Sequence, residues 1–305
     1  MSVLRPAEAG ARVPARWPAD LALAFISLIW GATFFIVKDA LLDISTAYFL
    51  ALRFALASLC MAPVLVVAFR KTDARSVWRG LGGGAVCGVF LWLGYILQTA
   101  GLRDTTPSRS AFLTCLYIVL VPPIAAAIER RKPKWGELAG LGVAAAGMFV
   151  LTAPRSGGFA EINRGDLLTI GCAFAFAFQI VVVGFYSQRE AFEPVAFGQI
   201  AAAAVLSAIC LPVEPPHAVW TGGVVFAVLV TGILATALAF ALQTWAQQRT
   251  TATRAALIFA LEPVFALLTA VVFAGATPGP SALAGCALIL AGIVLVELRP
   301  LKTDR

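Results

Sequence analysis

Two charged side chains, Arg53 and Glu262, stand well inside long apolar runs of this chain. A charge near the middle of a bilayer costs at least about 2.5 kcal/mol on insertion scales, so both must face protein or water rather than lipid. A guanidinium so placed can hold a carboxylate, and a carboxyl group can take up a cationic group or a proton. The competing explanation is that each satisfies backbone carbonyls or neighbouring hydroxyls and locks helices together. Both explanations stand at this point.

Among the further polar or aromatic residues within the apolar runs, Trp30, Thr33, Tyr95, Gln98, Tyr117, Gln179 and Gln243 are candidates to share such a protein- or water-facing volume. Trp30, Tyr95, Tyr117 and Gln179 lie deepest. Gln98 and Gln243 lie nearer the helix ends, where capping or interhelical hydrogen bonds explain them equally well, and Trp245 fits the interfacial aromatic belt. Glu262 is followed at once by Pro263, while Tyr117 precedes Pro122 and Pro123. Proline removes a backbone donor and frees the carbonyl four residues earlier, so both helices are expected to kink at depth. Free carbonyls at membrane depth are tolerated only beside a cavity or packed protein. Kinks and polar side chains therefore point to one central volume.

The elements that must position these groups follow from composition. The chain is 60% hydrophobic and 13% charged, against about 25% charged residues in soluble domains. With a hydrocarbon core of about 30 Å needing roughly 20 apolar residues per helix, the 305 residues have room for about ten spans. Apolar runs place them near 21–37, 44–69, 80–102, 110–128, 138–153, 167–187, 194–212, 218–246, 255–276 and 280–296. The first run has no small-residue cleavage site behind it and reads as a retained span rather than a removed signal peptide.

With the N-terminus inside, alternate loops carry 17 Lys and Arg on one side against five on the other, Lys38, Arg103, Arg109, Arg155 and Arg164. The asymmetry places both termini in the cytoplasm. It also accounts for the net charge of +7, so nucleic acid is not an expected partner. The bilayer is.

Several chemistries are absent from the pattern. Cys60, Cys87, Cys115, Cys172, Cys210 and Cys286 fall singly within apolar runs, without a CxxC pair or clustered histidines, and read as free buried thiols rather than metal ligands. The single histidine, His217, lies in a loop beside Pro215 and Pro216. The stretch Gly80 to Gly84 contains no phosphate-binding GxxxxGK[ST], so no ATP-driven pump is indicated. Gly82, Gly84 and Gly88 in the third run, with Gly136 and Gly140 entering the fifth, fit close helix packing. No cofactor is expected.

A shift of 145 residues lays 98–151 over 243–296 without a gap, and 15 positions match. Among them are Gln98 with Gln243, Thr106 with Thr251, Arg109 with Arg254, Gly140 with Gly285 and Gly147 with Gly292. Tyr117 falls on Glu262. The chain thus reads as a duplication: a cytoplasmic tail over 1–19, a first repeat over 20–153, a periplasmic linker over 154–165, a second repeat over 166–297 and a cytoplasmic tail over 298–305. Five spans per repeat, an odd number, turn the second upside down, leaving Arg109 outside and Arg254 inside. Inverted repeats are the architecture of secondary transporters, which open a midplane site alternately to each side.

The run Leu28-Ile29-Trp30-Gly31-Ala32-Thr33-Phe34, then Lys38, then Arg53-Phe54-Ala55-Leu56-Ala57, resembles the first repeat of the EamA family in the drug/metabolite transporter superfamily. Tyr95 to Val121 and Leu261-Glu262-Pro263-Val264-Phe265 resemble its later helices. The resemblance implies an all-α integral membrane fold of ten helices in two inverted repeats around a central cavity, with the fifth and tenth helices peripheral. It implies a bacterial inner membrane exporter of amino acids or related small metabolites, with protons as candidate coupling ions. Two departures stand out. Members usually carry a proline before the second helix, where this chain has Ser45-Thr46 although Pro194 keeps it in the second repeat; the Glu that usually ends the fourth helix is present as Glu129, but its counterpart is Ala274.

Two other function classes compete. An intramembrane enzyme acting on lipid would need a paired carboxylate, a metal cluster or a Ser/His or Cys/His arrangement at depth, and the apolar runs hold one Glu and no His. A passive channel or facilitator needs no alternating access, and the inverted repeat disfavours it.

Overall fold

The computed structural model describes residues 17–129, 135–152 and 162–297, and every regular element among them is helical. The first 16 residues, the basic cluster Arg130 to Lys134, most of the expected 154–165 linker and the 298–305 tail lie outside the described residues. The first half comprises α1 (Trp17–Ala40), α2 (Thr46–Lys71), α3 (Ala74–Asp104), α4 (Pro107–Thr114), α5 (Tyr117–Glu129) and α6 (Trp135–Thr152). The second comprises α7 (Arg164–Ser187), α8 (Phe192–Ile209), α9 (Gly222–Leu229), a π-helical stretch (Val230–Leu238), α10 (Ala239–Gln247), α11 (Ala252–Phe259), α12 (Glu262–Ala274) and α13 (Pro280–Glu297). Eight helical segments among the described residues are long and apolar enough to cross a membrane. Two shorter apolar helices, Trp135–Leu151 and Pro280–Leu295, accompany them.

Helix starts follow local chemistry. Asp73 caps α3 by accepting from the Ser76 N–H, and Thr106 and Thr251 cap α4 and α11 through the N–H groups of Arg109 and Arg254. Asn163 and Asp166 form a reciprocal capping box on α7. At α2, where the resemblance leads one to expect a proline, Ser45 makes no side-chain cap. The Ala47 N–H is instead satisfied by Glu214 Oε2 at 2.8 Å, from the segment joining α8 to α9. The same segment pairs with the α1–α2 connection through Ser45 N–H to His217 O at 2.9 Å. His217 is thus an exposed loop residue held by its backbone.

Lys38 and Arg103 reinforce this end. The Lys38 ammonium donates to the carbonyls of Leu102, Arg103 and Thr105 at 2.6, 2.9 and 3.1 Å, capping the C-terminus of α3. Arg103 donates to Leu41 O, Ile44 O and Thr46 Oγ1.

The two repeats interleave: α1 packs on α10, α11 and α12, while α7 packs on α3, α4 and α5. Glycine permits the closest approaches. A Cβ on Gly84 would lie 2.5 Å from Val195 O and one on Gly88 2.5 Å from Gln199 O, so α3 runs backbone-close along α8. Between α6 and α13, a Cβ on Gly147 would lie 2.7 Å from Gly285 O, and one on Gly292 2.6 Å from Gly140 O. The second contact is the first with the halves exchanged. Gly82, grouped with the packing glycines from its sequence, meets nothing within 4 Å.

One sequence expectation is corrected. Cys60 is exposed and Cys210 and Cys286 are half-buried, whereas Cys87, Cys115 and Cys172 are buried; an apolar run places a thiol at membrane depth without settling whether it faces protein or lipid. The fourth span breaks at Cys115–Leu116, and Pro122 and Pro123 lie inside α5.

Candidate functional site

The fourth and ninth spans are interrupted at equivalent places, between Thr114 and Tyr117 and between Phe259 and Glu262. Both breaks tighten to i→i−3 hydrogen bonds, Ile118 N–H to Cys115 O and Leu261 N–H to Ile258 O. Pro263 occupies the first turn of α12, where a missing N–H is harmless. The carbonyl it leaves free, that of Phe259, accepts from the Tyr117 hydroxyl at 3.4 Å. The same hydroxyl reaches Glu262 Oε2 at 3.3 Å. Gly31 of α1 makes room for this start of α12, since a Cβ there would lie 2.5 Å from Glu262 O. Glu262 is buried, 4% exposed.

Arg53 is buried at 3% exposed and lines the same cavity as Glu262. Its Nε donates to Thr236 Oγ1 at 2.7 Å, and Nη2 donates to Tyr95 OH at 3.0 Å and Ala235 O at 3.4 Å. The guanidinium carbon lies 4.1 Å from the Tyr95 ring centroid, a cation–π contact. Thr236 in turn donates to Thr231 O, five residues back, at 2.7 Å, and Trp30 Nε1 donates to Ala235 O at 2.9 Å. Arg53 and Trp30 from the first repeat therefore hold the π-helical stretch of the second. π-helical segments recur at functional sites.

These walls enclose one cavity of about 50 Å³, well below the roughly 300–1,000 Å³ of small-molecule sites. Trp30, Thr33, Arg53, Tyr95, Gln98, Tyr117, Gln179 and Glu262 all line it, eight of the nine residues singled out from sequence. Phe34, Phe176, Phe240 and Phe259 add aromatic wall, and Thr99 and Thr114 add hydroxyls. Trp30 packs against Phe240 and Phe259 at ring separations of 5.4 and 5.1 Å. Thr33 donates to Trp30 O and Gln98 to Thr114 Oγ1. Despite its place near a helix end, Gln98 reaches the cavity.

Gln243 stands apart. It is fully buried and belongs to an amide chain in which Gln179 donates to Gln199 Oε1 at 3.0 Å, Gln199 to Thr244 Oγ1 at 3.0 Å, and Gln243 to Gln247 Oε1 at 3.0 Å. Gln247 closes the chain on Ile180 O at 2.9 Å. Buried amides left unpaired would cost about 1–3 kcal/mol each, so the mutual pairing stabilises the packing of α7, α8 and α10.

The sequence pattern that marks the EamA-like transporter family matches residues 17–153 and, a second time, residues 163–298. The chain belongs to that family. A protein of Archaeoglobus fulgidus named an uncharacterized transporter is 33% identical over 299 residues, covering 96% of this chain and 90% of the relative. A solved crystal structure at 24% identity shares the fold with a TM-score of 0.73, over 93% of this chain and 98% of its own. This EamA-like transporter is accordingly a multi-pass membrane protein of a transporter family.

Within the EamA-like transporter, sequence reasoning missed Thr236, Gln199 and Gln247. Gln199 carried a readable signal, a lone amide within the apolar run 194–212. Thr236 carried none, because its role depends on the π-helical register. Arg53 and Glu262 do not form one of the ion pairs among the described residues.

Proposed function

We propose that the chain crosses the membrane ten times, as inverted repeats over 20–153 and 166–297 with both tails cytoplasmic, and that it exports amino acids or related small metabolites by alternating access. Arg53 and Glu262 are the polar anchors of the substrate site, Trp30, Tyr95 and Tyr117 its aromatic wall, and Thr33, Gln98 and Gln179 its neutral hydrogen-bonding groups. One observation carries the reading. Residues from both repeats, chosen because they are polar or aromatic inside apolar runs, converge on a single cavity at two matching helix breaks. The exchanged glycine contacts between α6 and α13 support a two-fold relation of the repeats.

Glu262 is the cation- or proton-linked group in this reading. The small cavity supports a contracted state, from which the walls must part to admit substrate. Overexpression and deletion strains challenged with toxic amino-acid analogues test the substrate class: overexpression should protect and deletion sensitise. No change across the panel removes amino acids from the reading. Saturable flux with counterflow in liposomes supports a carrier, and linear flux without counterflow supports a channel.

A further inference from the structure

Outside the cavity, four ion pairs among the described residues join the repeats, and two of them occupy equivalent places. Arg109 at the start of α4 pairs with Asp166 at the start of α7 at 2.6 Å. Arg254 at the start of α11 pairs with Asp20 at the start of α1 at 2.9 Å, with Nε also donating to Oδ1 at 3.2 Å. Arg109 and Arg254 are repeat equivalents, each following a capping threonine, Thr106 or Thr251. Asp20-Leu21 and Asp166-Leu167 match as well, on an offset one residue longer. Each pair therefore takes its cation from one repeat and its anion from the other, and each is the other with the repeats exchanged.

Their placement relative to the cavity is also matched. Trp30 follows Asp20 by ten residues and Phe176 follows Asp166 by ten, and both aromatics line the cavity. Ten residues of helix rise about 15 Å, half of a hydrocarbon core about 30 Å thick. Along α4 and α11 the separation is shorter, since Thr114 and Phe259 line the cavity five residues, about 7.5 Å of rise, beyond Arg109 and Arg254; each ion pair therefore lies between the cavity and one end of its helices. With inverted repeats, the two pairs lie at opposite faces.

We infer that Arg109–Asp166 and Arg254–Asp20 are the outer and inner gates of the transport cycle, closed together in the contracted state and opened one at a time. The inference rests on the alternating-access reading. Because the pairs are chemically alike, forming one offsets much of the cost of breaking the other, and a modest difference in substrate contacts can decide which opens. The two pairs differ in which partner is deeper: Arg109 is 33% exposed against 16% for Arg254, while the outer anion is the more deeply set. Asp166 is 1% exposed and also accepts from Thr105 Oγ1 at 3.0 Å, whereas the Asp20 side chain is 21% exposed.

The test uses the full chain with its six cysteines replaced and Thr99→Cys as reporter of the cavity, labelled by a membrane-impermeant maleimide in right-side-out and inside-out vesicles. Arg109→Gln should raise the labelling rate from outside, and Arg254→Gln from inside, each by at least roughly fivefold, the lower end of ordinary coupling between sites. Exchanging the inner charges, Asp20→Arg with Arg254→Asp, should restore slow labelling. Equal acceleration from both sides, or none, overturns the gates. If Arg109→Gln does not accumulate in the membrane, Arg254→Gln and its charge exchange decide alone. Asp104→Cys and Arg249→Cys, in otherwise parental cysteine-free protein, separate the two failures: labelling of both from one face sinks the inverted-repeat reading itself, whereas opposite faces with unresponsive gates sink only the gates.

Discussion

Tyr117 and Glu262 occupy the same position of the two repeats, 145 residues apart, and meet through a hydrogen bond of 3.3 Å from the phenol to the carboxylate. A residue that touches its own counterpart lies where a two-fold relation between the halves would place its axis. Here one half supplies a donor and the other an acid, so the sequences have diverged where their backbones correspond.

Glu262→Gln keeps the size and the hydrogen bond from Tyr117 while removing titration. In liposomes it should abolish the pH dependence of net transport while sparing substrate exchange. A parental pH profile at the parental rate would make Glu262 structural and move coupling elsewhere.

Arg53 is held by the π-helical stretch as firmly as by the cavity wall. Thr236→Val removes the acceptor of its Nε–H, and a hydrogen bond to a charged group contributes about 1.5–3 kcal/mol. Transport should fall roughly ten- to hundredfold, Thr236→Ser should recover it, and Arg53→Lys, which loses the planar fork, should not worsen Thr236→Val further. Parental activity in Thr236→Val would return Arg53 to the role of a ligand that does not depend on the π-helical stretch.

Gly31→Ala forces a methyl group against the carbonyl of Glu262. Overpacking of this kind costs about 1–3 kcal/mol, and it should lower both the melting temperature in detergent and the transport rate. Gly82→Ala, with nothing within 4 Å, should leave both near the parental values. Equal effects of the two substitutions would show that the approach of α1 to α12 is not constrained at Gly31.

The elements and most of the cavity were legible because polar residues in an apolar run are costly unless turned inward. That reasoning picked out Trp30, Tyr95 and Gln179 without knowing their partners. It could not see pairings such as Arg109 with Asp166, since both residues sit at run ends where charge is unremarkable. The break at Cys115–Leu116 was not legible either: it matches the one at Ala260–Leu261 and follows the shared architecture of the repeats. The π-helical stretch has no composition cue, because an extra residue per turn leaves the apolar pattern of Val230–Leu238 intact.

The central claim is that two oppositely oriented repeats enclose one cavity. Asp104 and Arg249 are exposed and 145 residues apart, at equivalent places in the two repeats. In a cysteine-free background, Asp104→Cys should react with an impermeant maleimide from the periplasmic face and Arg249→Cys from the cytoplasmic face. Labelling of both from the same face would contradict the inverted repeat and the alternating access built on it.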